Sequence, residues 1–171
     1  MKYNWVSFTI STIIAGLVAA SMADAGRSVY QLLSGFPPVD WSVSGRWFLL
    51  VLNGEPFVPN IRIAPVLPYE LLVGHIAYYT ISLVFSGIYL LCLEKFFHRE
   101  PSLGNGLMFG LITLFFPLFI QMPAMGMGVL ALNTPTTFLV LMRTVVHHSS
   151  FGFGLALGAI LAVRIFSGMR R

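Results

Sequence analysis

Charge is the scarcest commodity in this chain. Ten Lys or Arg and six Asp or Glu are spread over 171 residues, so charged residues make up 9% of a sequence that is 57% hydrophobic. Soluble domains carry about 25% charged residues. This set cannot clothe a water-facing surface, and the composition indicates an integral membrane protein of one domain, residues 1–171. Cysteine is nearly missing. The single Cys92 excludes an intrachain disulfide and reads as a small packing residue inside an apolar run. Catalytic signatures are missing as well. There is no HExxH and no paired CxxC, and the stretches GMGV and GFGL lack the flanking strand of a nucleotide-binding turn. Ser149 and Ser150 follow His148 directly, and helix neighbours face apart, so they form no nucleophile pair. The net charge of +4 is scattered, which excludes a nucleic-acid surface.

Long apolar runs are what the chain has in abundance. A helix needs about 20 mostly apolar residues to cross a bilayer, because backbone groups cannot be left unpaired in lipid. Four segments meet that demand, at about 6–25, 70–93, 105–132 and 140–166. They predict an all-α, four-helix membrane bundle. Pro117 and Pro123 predict a kink in the third crossing. Between the first two crossings lies an extramembrane segment, 26–69, with six of the ten prolines. Within it DWSVSGRWFLLVLNG predicts one short interfacial helix, capped by Asp40 and ended by Gly54, with Trp41 and Trp47 at the water–lipid boundary. A lid packed over the bundle ends fits the same residues.

Basic residues set the orientation. Lys2, Lys95, Arg99, Arg164, Arg170 and Arg171 fall on one side, and Arg27, Arg46, Arg62 and Arg143 on the other. The positive-inside rule then places both termini in the cytoplasm. A rival reading takes the first apolar run as a secretory signal with an Ala23-Asp24-Ala25 cleavage pattern.

That alternation brings distant residues to one level near the outer leaflet. Asp24 ends the first crossing. His75 lies roughly 8 Å into the second at 1.5 Å per residue. Met122 and Met125 lie near the outer end of the third, and His147 and His148 near the start of the fourth. Histidine, methionine and carboxylate are transition-metal ligand types, with methionine favouring reduced copper and imidazole suiting copper or iron. His75, His148, Met122, Met125 and Asp24 are therefore candidate metal ligands. Each also has a plainer role. The methionines can fill the bend at Pro123, Asp24 can pair with Arg27, and the histidines can sit at an interface. His75, Tyr79, Ser82, Ser86 and Tyr89 are spaced to draw one polar stripe, which should face protein or water. Small-residue steps at Gly16–Ala20, Gly106–Gly110 and Ser150–Gly154–Gly158–Ala162 suit close helix contact.

GHIAYY, EPSLGNGLMFGLITLFFPLFIQMPAMGMG and HHSSFGFG carry a resemblance to an uncharacterised family of small membrane proteins, domain of unknown function 2938. The resemblance implies a polytopic inner-membrane protein of bacteria and implies no activity. Three function classes follow. The first is binding or transport of a metal ion, proton or small solute through the His/Met/Asp cluster. The second is a membrane redox or metal enzyme subunit, and the third a structural or assembly subunit of a larger complex. Expected partners are the lipid bilayer and a second copy or a larger membrane complex.

Overall fold

A computed structural model describes residues 5–168. Lys2, Arg170 and Arg171, counted for orientation, lie outside the described residues. Every regular element among the described residues is helical. Helix α1 spans Trp5–Ser34, α2 spans Trp41–Leu52, and α3 spans Glu70–Leu91 followed by a π-helical turn over Cys92–Phe97. Helix α4 spans Leu103–Ile112, a second π-helical turn covers Pro117–Gln121, and α5 is the short Met122–Ala124. A 3-10 turn over Val129–Ala131 precedes α6, Thr137–Gly168. Four stretches are long and apolar enough to cross a membrane: Trp5–Ser34, Glu70–Phe97, Leu103–Ala124 and Thr137–Phe166. The chain is a multi-pass membrane protein.

Two boundaries differ from the sequence reading. The first helix does not stop near Ala25 but runs on to Ser34, through the Ala23-Asp24-Ala25 pattern. Arg27 is no breaker, since it pairs with Asp24 one turn back at 2.9 Å. The stop comes at Gly35, which takes φ +66 and donates its N–H to Gln31 O, ahead of Pro37 and Pro38. The third crossing ends at Ala124, eight residues short of Leu132. Glycine ends it: Gly126 takes φ +79, its N–H donates to Pro123 O and Met127 N–H donates to Met122 O, a Schellman turn. Upstream, where Pro123 has no N–H to give, the helix widens into a π turn in which Met122 N–H donates to Pro117 O.

The chain forms two compact units. One, the helical unit, comprises Met1–Arg27, Tyr79–Ile112 and Val146–Arg171. The other, the proline-rich unit, comprises Ser28–Tyr78 and Thr113–Val145.

In the helical unit, small residues let backbones touch. A Cβ on Gly154 would stand 2.6 Å from Met22 Cβ, and one on Gly158 would stand 2.7 Å from Ala15 Cα. This α1–α6 seam follows the step of four visible in the sequence. A second seam joins α4 to α6, where a Cβ on Gly152 would meet Gly106 O at 2.4 Å and one on Gly110 would meet His148 O at 2.4 Å. Gly152 had no place in the predicted step, so α6 presents two small-residue faces rather than one. Between α1 and α3, Ser82 Oγ donates to Gly16 O at 2.8 Å, while Ser86 Oγ donates within α3 to Ser82 O. Without water to drive apolar association, such close contacts and interhelical hydrogen bonds hold membrane helices together. Ala15, Ala19, Tyr89, Leu90, Phe151 and Leu155 form the core of this unit.

The polar stripe on α3 is only half enclosed. Ser82, Ser86 and Tyr89 are buried, whereas His75 and Tyr79 are exposed. Alternating steps of four and three average 3.5 residues, so the stripe drifts about 20° per heptad around a helix of 3.6.

The seams predict a graded glycine series. Gly152→Ala should cost about 1–3 kcal/mol by forcing α4 and α6 apart. Gly104→Ala, where a Cβ meets nothing within 4 Å, should be neutral or stabilise by up to ~1 kcal/mol through helix propensity. Thermal unfolding of the purified variants in one detergent checks the ranking.

Candidate functional site

The proline-rich unit is built around α2. Asp40 caps its start by accepting Ser42 N–H at 3.0 Å. Its end is a Schellman turn, with Gly54 at φ +84, Gly54 N–H on Val51 O and Glu55 N–H on Leu50 O. One face of α2 lies backbone to backbone on the first turns of α3. A Cβ on Gly45 would stand 1.7 Å from Glu70 O, and one on Gly74 would stand 2.1 Å from Trp41 O. Only glycine allows that approach.

The next residue uses the proximity. Arg46 Nε donates to Glu70 Oε2 at 2.7 Å and Nη2 donates to Glu70 Oε1 at 2.9 Å, a bidentate pair. Arg46 Nη1 donates to Ile61 O at 3.1 Å and to Ala64 O at 2.9 Å. Glu70 Oε2 also accepts Leu67 N–H at 3.1 Å. Both residues are buried, Arg46 at 6% exposure and Glu70 at 8%. Hydrogen bonding to the Glu70 carboxylate raises the Arg46 guanidinium above its ordinary value, so the cation persists at any pH the fold survives.

Through these bonds the turn at 61–64 is held to α2 and α3. The same segment is tied to α5. Val58 N–H donates to Ala124 O at 2.9 Å and Ile61 N–H to Met125 O at 3.0 Å. Gly126, at φ +79, lies so close that a Cβ there would meet Pro59 O at 2.0 Å. Trp47, Ile61, Ala124 and Met125 fill the space between, and Trp47 Nε1 donates to Pro56 O at 2.9 Å.

Beyond α5 the backbone is strained. Gly126 and Gly128 are joined by Leu130 at φ 54 and Ala131 at φ 59, left-handed conformations that non-glycine residues rarely adopt. Surrounding bonds hold them there. Asn133 N–H donates to Met127 O, and the hydroxyls of Thr134 and Thr137 both donate to Ala131 O. This loop faces the proline-rich segment across a shallow, open cleft of about 530 Å³, lined by Phe57, Val58, Pro59, Pro123, Gly126, Gly128, Val129 and Asn133. Its walls are apolar, with the Asn133 amide as the polar side chain.

The five candidate metal ligands are divided between the two units. Asp24 and His148 belong to the helical unit, and His75, Met122 and Met125 to the proline-rich unit. Asp24 carries its ion pair to Arg27. His148 packs edge-on to His147, with ring centroids 5.3 Å apart. Met122 is enclosed with Leu118, Ala131 and Val140, and Met125 with Trp47, Ile61 and Ala124. His75 is exposed, 6.0 Å from the Trp41 ring, and its Nδ1 lies 2.9 Å from Leu71 O. Among the described residues no three His, Cys, Asp or Glu side chains form a group able to hold a metal ion. Trp47 is buried, and Trp41 packs tilted against Tyr78 with ring centroids 4.6 Å apart.

Arg46, Glu70 and Asn133 were not among the candidates. A lone Arg in an apolar helix, preceded by glycine and followed by tryptophan, is the signal that could have found the first.

Residues 13–162 match the family model described as Protein of unknown function (DUF2938). The chain belongs to this family. No curated protein and no solved structure matches it. The DUF2938 match takes in the whole of α2, the Arg46–Glu70 pair and every residue lining the cleft.

The buried pair yields a clear thermodynamic expectation. Glu70→Gln leaves a buried cation without its counter-charge and should lower stability by about 3 kcal/mol. The double variant R46M/E70L should recover most of that loss, because it removes both desolvated charges. Equilibrium unfolding of the two singles and the double checks the cycle, and simple additivity would contradict it.

Proposed function

We propose that the chain is a small multi-pass protein of a bacterial inner membrane that binds or transports a small solute through the cleft of the proline-rich unit. Both termini lie in the cytoplasm in this reading. The excess of Lys and Arg at the terminal side of the crossings supports that orientation. The cleft then opens on the outer face. One observation carries the reading. A shallow, open apolar depression of about 530 Å³ is walled on one side by a loop with four left-handed residues within six positions, Gly126, Gly128, Leu130 and Ala131. Ligand sites are concave and largely apolar with a few placed polar groups, and stored backbone strain clusters at such sites.

A second reading has its own observation. Leu71 O can only accept, so His75 Nδ1 carries the proton of their 2.9 Å bond. In the neutral ring this leaves the Nε2 lone pair outward on an exposed side chain, the form in which histidine takes a metal or a proton. Copper or iron at His75 would draw its remaining ligands from the solute or from another chain.

Solute-dependent melting separates the two. A ligand at 100 times its Kd stabilises the folded state by about 2.7 kcal/mol. In a screen of small solutes and metal ions, at least one solute should raise the melting temperature of the wild type and leave Val129→Trp, which fills the cleft, unmoved. Equal shifts in both proteins would remove the cleft from the account. A shift by copper or iron that is lost in His75→Ala, with bound metal lost in elemental analysis, would favour the second reading.

A further inference from the structure

Residues 56–69 carry an unusual surface for a loop outside a membrane span. Phe57 is 78% exposed, Ile63 81%, Val66 74% and Tyr69 78%. Arg62 is the segment's single charged residue. Exposed apolar side chains at this density mark a surface that something covers.

Five of the segment's ten backbone N–H groups donate within the protein. Pro56, Pro59, Pro65 and Pro68 have no N–H to satisfy. Val58 and Ile61 donate to Ala124 O and Met125 O, Arg62 to Asn60 Oδ1, Ile63 to Asn60 O and Leu67 to Glu70 Oε2. Ile61 O and Ala64 O accept from Arg46. Each group satisfied internally lowers the cost of approaching hydrocarbon, and the others meet the hydrated headgroup layer.

The exposed apolar surface also continues into a lipid-facing one. Tyr69 directly precedes α3, whose first turns expose Leu71, Leu72 and Ile76 at 55–57%. In a membrane-spanning helix those side chains meet lipid. We propose that residues 56–69 sit in the boundary layer of the bilayer, with Ile63 and Val66 among the acyl chains. Tyr69 takes the position of an interfacial aromatic, and the Arg62 guanidinium reaches up to headgroup phosphate. The occupant of this surface is lipid, and the inference stands whether or not the cleft binds a solute.

Site-specific quenching tests the placement. The full chain carrying Cys92→Ala receives I63C, V66C or, as the water-facing comparison, E55C. Each is labelled with a small fluorophore and reconstituted in phosphatidylcholine–phosphatidylglycerol vesicles. Spin-labelled lipid should quench positions 63 and 66 severalfold more strongly than aqueous iodide does, with the order reversed at position 55. Iodide-dominated quenching at 63 and 66 would overturn the inference by placing the segment in water. Protection from both quenchers would overturn it in favour of a protein cover, and a second copy would then appear as a cysteine cross-link at those positions.

Discussion

The Arg46 guanidinium holds the proline-rich unit together. Its donors reach a helix start through Glu70 and an irregular turn through the carbonyls of Ile61 and Ala64. Three pieces of chain with no ladder between them are thereby tied to one point. A buried ion pair alone is weak evidence for stability, because desolvation opposes the Coulomb gain. Here the charge is enclosed by a bidentate partner and two carbonyls, the geometry in which that opposition is best met. The pair can form because Gly45 and Gly74 bring α2 onto α3 without side chains between them. Packing distance comes first, charge pairing follows, and the wall of the cleft follows from both.

The helical unit relies on a different principle. Its seams are built from small residues. Glycine and alanine let α1, α4 and α6 approach until dispersion holds them, and one serine hydrogen bond, Ser82 to Gly16, ties α3 to α1. The methionines belong to neither scheme. Met122 and Met125 lie in separate hydrophobic clusters on either side of the irregular turn after Pro123, where a flexible thioether side chain fills uneven space.

Much of this architecture was legible in the chain, and the reasons for the rest are physical. Apolar runs of about 20 residues announce crossings because lipid permits little else, and all four are present. Asp40 and Gly54 announced α2, since caps are local chemistry. The apolar run gives out near Ala25, but a helix ends where its backbone is broken, here at Gly35, Pro37 and Pro38. The end of the third crossing was misplaced because GMGVLALN stays apolar after the helix has turned away. The cleft was invisible. It needs Pro59 beside Gly126 and left-handed Leu130 and Ala131, and no local pattern encodes contacts across some 60 residues. Arg46 and Glu70 were visible only as charges, since partnership at that separation is set by the glycine contact that brings them together.

Amide hydrogen exchange at Val58 and Ile61 tests the dependence of the cleft on the ion pair most directly. Both amides donate to α5 and its following residue, and neither touches Arg46 or Glu70 through its own N–H. In the wild type they should be protected, and in Glu70→Gln their protection should fall together while the Ser82–Gly16 seam of the helical unit keeps its own. Unchanged protection at Val58 and Ile61 in that variant would show that the cleft wall stands without the pair, and would contradict the account.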